Sequence, residues 1–433
     1  FFNDPPPPAS NPLTLHDALP IYQKRQQLLC DKPGPCAAVV FSGRAPMRSA
    51  DGAYPFSVDR DFYYLTGIDH ENMILVMTKD HYGKTSEMLF IEPYDEVQAK
   101  WVGGRMKPDE ATAISGVQDI RYLDTFESAL NLMIRANRGE GETNLWLDLW
   151  KHTPEQEPTL AHKLAHKVQQ EYPAVRINDL FGDLARMRAI KSDEEIEKMK
   201  IAQTTTQHAI EAMMKHSYPG INESELEGAF DFELAKQGVR EHAFSSIVAG
   251  GARATVLHYS ENNQVVNDGE LVLIDLGSAH EHYCADISRT FPVNGKFTER
   301  QKEVYNVVLA VQDLIIEKAR PGMTLMDLNN MVIEFYEQEL PKIGLLKDGK
   351  TVRDYYYHSV SHSLGLDCHD VTTPTTKTLR PGMVITVEPG LYIEEEGIGV
   401  RIENDIIITE EKPIDLSSNI LKTVEDIEAL MAK

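Results

Sequence analysis

The chain has 433 residues, 42% apolar and 25% charged, a globular composition long enough for two or three domains. A formal net charge of −24 and a pI near 5.0 argue against nucleic acid and anionic membrane surfaces as partners, because both want a basic patch. No run approaches the roughly 18 apolar residues that a membrane-spanning helix needs.

Residues 1–21, FFNDPPPPASNPLTLHDALPI, carry four consecutive prolines and no apolar period. They lack the basic start and apolar centre of a signal peptide and are expected to be a non-native or disordered arm. Residues 22–178 are expected to form an α/β domain. CAAVVFSG, DFYYLTGI, MILVMTK, SEMLFIEP and NLWLDLW read as short strands, and TLAHKLAHKVQQEY reads as a helix. Cys30, Cys36, Cys284 and Cys368 are scattered and form no CxxC pair. CDKPGPC reads as a turn with two reduced thiols, which fits a reducing compartment and a cytoplasmic location.

Residues 179–433 read as an α+β domain. Ser192 with Glu195, and Thr298 with Gln301, form capping boxes at the start of two helices. Val304, Val308, Val311 and Ile315 follow the second at helical spacing, and each helix is expected to stop at a Pro-Gly pair. PGINESEL and PGMTLMDL lie 102 residues apart and share a plan: Pro-Gly, an apolar residue, an Asn or Thr cap, an acid and Leu. This predicts two similar halves.

Each half hides acids in apolar strands. Asp275 sits inside ELVLIDLGS, where a carboxylate costs several kcal/mol unless it is paired or binds metal. A hairpin turning at His280-Glu281 would set it opposite Asp286. Glu388 ends GMVITVE, and a hairpin turning at Glu395-Glu396 would set it opposite Glu403. Facing carboxylates repel, so cations between them are the natural reason to keep both. Four such acids balance two divalent ions. The stretch HSVSHSLGLDCHD adds His358, His362 and His369, although spacing alone does not say which of them is a ligand. Oxygen ligands with one imidazole suit Mn²⁺ first, then Co²⁺ or Zn²⁺.

The blocks LIDLGS, YCADISRTFPVNGKFT, HSVSHSLGLDCHD, TVEPGLY and GVRIEND, together with YPFSVDRDFYYLTGI and KWVGGR, resemble the aminopeptidase P and prolidase family. The resemblance implies an N-terminal α/β domain and a "pita-bread" catalytic domain of two pseudo-symmetric halves. It implies five metal ligands, Asp275, Asp286, His362, Glu388 and Glu403, holding two divalent ions. His258, His358 and His369 would serve the substrate, Glu388 would relay a proton, and Arg401 would steady the carboxylates. Trp101 would reach a neighbouring subunit's site in a homodimer or homotetramer. The implied activity is release of the N-terminal residue from peptides with proline second. A dipeptidase acting on Xaa-Pro and a non-catalytic peptide-binding module of the same fold are the alternatives. Ser359 and Ser363 depart from the family's usual Gly and bulky aromatic, which bears on pocket shape. Only fourteen residues separate Glu388 from Glu403, which favours the aminopeptidase branch.

Overall fold

The computed structural model describes residues 24–25, 27–29, 32, 34–136 and 143–432. The arm at 1–21 and Cys30 lie outside them. The chain divides between Met187 and Arg188 into two compact units.

The N-terminal unit is built on a six-stranded mixed sheet: β1 (Cys36–Phe41), β2 (Ile74–Lys79), β3 (Thr85–Ile91), β4 (Ile120–Tyr122), β5 (Thr143–Leu147) and β6 (Val175–Asp179), in the order β4-β3-β2-β1-β5-β6. β1 is antiparallel to β2 and parallel to β5. Helices Phe126–Ala136 and Leu160–Glu171 bury Leu130, Leu164 and Val168 with Val39, Val76, Phe90 and Leu147. Each such side chain contributes roughly 1.5–3 kcal/mol. DFYYLTGI does not form a strand. Residues Arg60–Thr66 are a helix, because Asp59 Oδ1 accepts the N–H groups of Asp61 and Phe62 and Gly67 closes the other end in the left-handed conformation (φ 69°). A short aromatic run carries no period that tells helix from strand, and its capping residues decide.

In the C-terminal unit, helices α1 (Asp193–His216), α2 (Glu223–Lys236), α3 (Glu299–Lys318) and α4 (Leu325–Glu339) pack around small antiparallel sheets of two or three strands. One sheet holds β7 (Ile247–Gly250), β8 (Leu271–Leu276) and β11 (Ile287–Pro292) in the order β11-β8-β7. Between β8 and β11 lies the short ladder of β9 (Ala279–His280) with β10 (Tyr283–Cys284). In the other half, β12 (Val384–Val387) pairs with β15 (Asn404–Ile407), and β13 (Gly390–Ile393) pairs with β14 (Ile398–Arg401). One core joins the halves, with Met213, Phe230, Val308 and Val332 from the helices and Ile274, Phe291, Ile385 and Ile406 from the strands.

Both predicted capping boxes are present, at Ser192 and Thr298. The repeat holds in backbone detail. Gly220 and Gly322 share a left-handed φ of 91° and 90°. Gly220 N–H donates to Val266 O at 2.8 Å, and Gly322 N–H donates to Leu379 O at 2.9 Å. Asn222 and Thr324 then cap α2 and α4.

Candidate metal centre

Asp275 is the fifth of six residues of β8, and its strand-mates are buried. Its partner across the ladder is Ser288, not Asp286. The turn falls one residue later than the sequence suggested, at Glu281-His282, both at positive φ (48° and 68°). Two consecutive positive φ angles make the tight turn that matches strand twist. The slip moves the cross-strand partner by two positions, so Asp286 keeps its face of the hairpin and lies diagonal to Asp275. Gly277 is what lets the strands close there, since a Cβ on it would sit 1.8 Å from Ala285 O. The second hairpin has the expected register. Gly390↔Arg401 and Val387↔Asn404 belong to one continuous alignment, broken only where Glu388 and Glu403 face each other.

The acids converge on one imidazole. His362 Nε2 lies 3.3 Å from Asp286 Oδ2 and 3.6 Å from Glu388 Oε1. Its Nδ1–H donates to Ser363 O at 3.0 Å, so Nε2 is the nitrogen turned to the carboxylates. With Nδ1 so engaged, a bound ion would take the place of the Nε2 proton. Asp286, His362 and Glu403 offer ligand atoms all within 4.8 Å of one another. Asp275 Oδ2 accepts from Arg401 Nη2 at 2.7 Å, while its Oδ1 is buried with no hydrogen-bond partner among the described residues. An ion-free carboxylate oxygen in such a place is costly, and a cation is the partner it fits.

Charge crowding agrees. Burial pushes the Asp275 carboxyl up to about 6 against the pull of Arg401, with Asp286 adding to the rise. Glu388 is raised to about 7 by burial, opposed by His362 and Arg401, and Glu403 rises well above its usual range by burial and its acidic neighbours. Burial pulls His362 down, but Asp286 and Glu388 outweigh it and lift the imidazole to about 9. A divalent ion among these groups would reverse the pressure on all of them.

The three further histidines are less alike than the sequence implied. His358 has both nitrogens engaged, Nδ1 with Ser359 O at 2.8 Å and Nε2 with the Tyr392 hydroxyl at 2.9 Å. Burial and the Arg401 charge hold it down to about 4, so it is neutral. His258 and His369 are exposed and line the same cavity of about 630 Å³, whose apolar wall is Phe244, Ile247 and Leu257. The His369 ring lies 4.3 Å from that of His362. Trp101 belongs to the N-terminal unit, on helix Glu96–Val102, and is 85% exposed.

Three contributors were not read from the sequence. The Ser288 hydroxyl accepts from Arg401 Nε at 2.7 Å and donates to Glu403 Oε2 at 2.8 Å, tying the two hairpins together. Asp405, fully buried, accepts the Asp286 backbone N–H at 3.0 Å. Cys368 Sγ donates to Asp286 Oδ2 at 2.9 Å. Asp405 precedes the apolar run Ile406–Ile408, the same signal that flagged Asp275. Ser288 and Cys368 carried none, because their contacts reach 115 and 82 residues along the chain.

The model for metallopeptidase family M24 matches residues 197–410, and that for the aminopeptidase P N-terminal domain matches residues 21–140. The Xaa-Pro aminopeptidase of Escherichia coli K12 is 34% identical over 95% of this chain and 97% of its own length. Human Xaa-Pro aminopeptidase 3 is 35% identical over 91% of this chain and 80% of its own. Among solved structures, E. coli aminopeptidase P with the inhibitor Pro-Leu superposes with a TM-score of 0.87 at 32% identity, covering 96% of this chain and 98% of that one. Proline aminopeptidase P II from Yersinia pestis gives 0.86 at 33% identity, covering 96% and 99%.

Proposed function

The chain belongs to the aminopeptidase P family of M24 metallopeptidases, and from that premise we propose that it removes the N-terminal residue from peptides with proline in second position. Asp275, Asp286, His362, Glu388 and Glu403 would hold two divalent ions. An oxygen-rich set with one imidazole favours Mn²⁺. When bound, the ions supply Lewis-acid activation of the scissile carbonyl and of water.

The protein's own groups do the rest. Arg401 links Asp275, Ser288 and the Tyr392 hydroxyl, so the carboxylates are held before substrate arrives. His358, occupied on both nitrogens, fixes the Tyr392 end of that chain. His258 and His369 line the cavity with no hydrogen-bond partner among the described residues, which supports giving them the substrate carbonyl. Glu388 would carry a proton to the leaving proline nitrogen. Phe244, Ile247 and Leu257 offer an apolar seat for the prolyl ring. A cytoplasmic location fits the acidic charge and the free thiols of Cys36, Cys284 and Cys368. A homodimer or homotetramer in which Trp101 serves a neighbouring site completes the reading.

The observation that carries it is His362 Nε2 turned to Asp286 and Glu388 beside the Asp275 oxygen that has no hydrogen-bond partner among the described residues. Its test is hydrolysis of an Xaa-Pro-Xaa tripeptide and an Xaa-Pro dipeptide by chelator-stripped protein, with and without Mn²⁺. Metal-dependent release of the first residue from the tripeptide is expected. Cleavage of the dipeptide alone would make it a dipeptidase, and folded, metal-loaded protein that cleaves neither would overturn the peptidase reading.

A further inference from the structure

The donors around the centre are not evenly distributed. Near Asp275 the neighbours are carboxylates and Arg401. Near His362 there is also a thiol. Cys368 Sγ touches the same Asp286 Oδ2 that His362 Nε2 faces, at 2.9 and 3.3 Å. Ligand atoms of His362, Cys368 and His369 all lie within 4.8 Å of one another. One tetrahedral ion with a metal–sulfur bond of about 2.3 Å and a metal–nitrogen bond of about 2.0–2.1 Å holds its S and N donors about 3.6 Å apart. Closing on one ion means bringing the Cys368 and His362 donors from within 4.8 Å to that separation, with His369 left to the substrate. A second orphan points the same way: Ser361, 4% exposed, lines this cavity, and its buried Oγ has no partner among the described residues.

We propose that Cys368 is a ligand at the His362 subsite, so that the centre has one all-oxygen subsite suited to a hard ion and one mixed N, O and S subsite that selects a thiophilic ion. The proposal rests on the two-ion reading above and adds an asymmetry to it. Thiolate and imidazole favour Zn²⁺ or Co²⁺, whereas carboxylates alone favour Mn²⁺. On binding, the S–H proton now directed at Asp286 leaves to solvent and a sulfur–metal bond takes its place. Asp286 Oδ2 is then released to the ions. The centre would fill with two different metals when both kinds are offered.

The test uses chelator-stripped full-length protein titrated with Co²⁺. A thiolate-to-cobalt charge-transfer band is expected to appear in the near ultraviolet and to saturate at one ion per chain. It should be absent in Cys368→Val, a swap of similar volume, and in Cys368→Ser, which keeps the polar contact to Asp286. The Zn²⁺-over-Mn²⁺ affinity ratio should fall about 10–100-fold in both variants, the scale that loss of a partner of a metal site carries. If the wild type binds two Co²⁺ and cleaves the tripeptide without a Cys368-dependent band, the asymmetry is wrong and the peptidase reading stands. If folded protein binds no Co²⁺ and cleaves nothing, both fall.

Discussion

Glu388→Gln should make the ion-free protein more stable while removing the function the residue serves. Glu388 is raised from 4.5 to about 7 by burial, against the pull of His362 and Arg401. The folded chain therefore keeps a proton that the unfolded chain releases between those two values. Stability contributed by this group is present below about pH 4.5, falls as pH rises to 7, and stays low above it. At 1.36 kcal/mol per unit, the ionised carboxylate costs the ion-free fold about 3 kcal/mol at pH 8. Gln has the same shape and no charge, so it should recover that amount at pH 8 and nothing at pH 4. The assay is equilibrium urea unfolding in chelator, followed by far-ultraviolet circular dichroism, since all three tryptophans lie in the N-terminal unit. Adding Mn²⁺ should close most of that gap. The wild type gains about 2.7 kcal/mol at a hundredfold excess over Kd, and the variant gains less. A variant less stable than wild type in chelator at pH 8, or one whose advantage is the same at pH 4, would refute the claim that Glu388 is held against its own charge.

Asp148 offers the same logic away from the centre. Burial, with repulsion from Asp61 and Asp59, pushes it from 3.8 up to about 7, so Asp148→Asn should stabilise the N-terminal unit by at most about 4 kcal/mol at pH 8 and not at all near pH 4. Fluorescence of Trp146 and Trp150, close in sequence, reads that unit directly. Ser288→Ala should leave the fold in place but free Arg401 and Glu403 from each other, weakening Mn²⁺ binding about 10–100-fold by calorimetry. Unchanged affinity would mean that the hydroxyl merely fills space.

Which parts were legible follows from how far each cause reaches along the chain. Helix starts were read correctly at Ser192 and Thr298, because a capping box is complete within four residues. The register of β13 with β14 was read correctly, because its loop and both ligands fall within sixteen residues. The Asp275 hairpin slipped because Glu281-His282 adopts positive φ without the Asn-Gly signature that usually announces such a turn. The five-ligand set needed family resemblance, since three histidines within thirteen residues cannot be ranked by spacing. Both rings set Nδ1 on the next residue's carbonyl, and only Nε2 separates them: it faces Asp286 and Glu388 in His362 and is taken by the Tyr392 hydroxyl in His358. Ser288, Asp405 and Cys368 stayed hidden because each acts across the fold on a partner the local sequence does not mention.

The shared alignment of β12–β15 and β13–β14 makes the tip between them a tolerant place for added chain. Glu388 and Glu403 are fixed from both sides, by Val387↔Asn404 below and Gly390↔Arg401 above, so neither depends on residues 394–397. The tip itself holds a two-pronged pair, Arg300 Nε and Nη2 on Glu396, both at 2.7 Å, and the neighbouring pair of Lys350 with Glu395. An insertion at Glu395 leaves Glu396 beside Arg300, and each doubling of loop length costs only about 0.6 kcal/mol. A peptide tag, a second binding module or a longer natural insertion spliced at Glu395 should ride on the enzyme without moving its ligands.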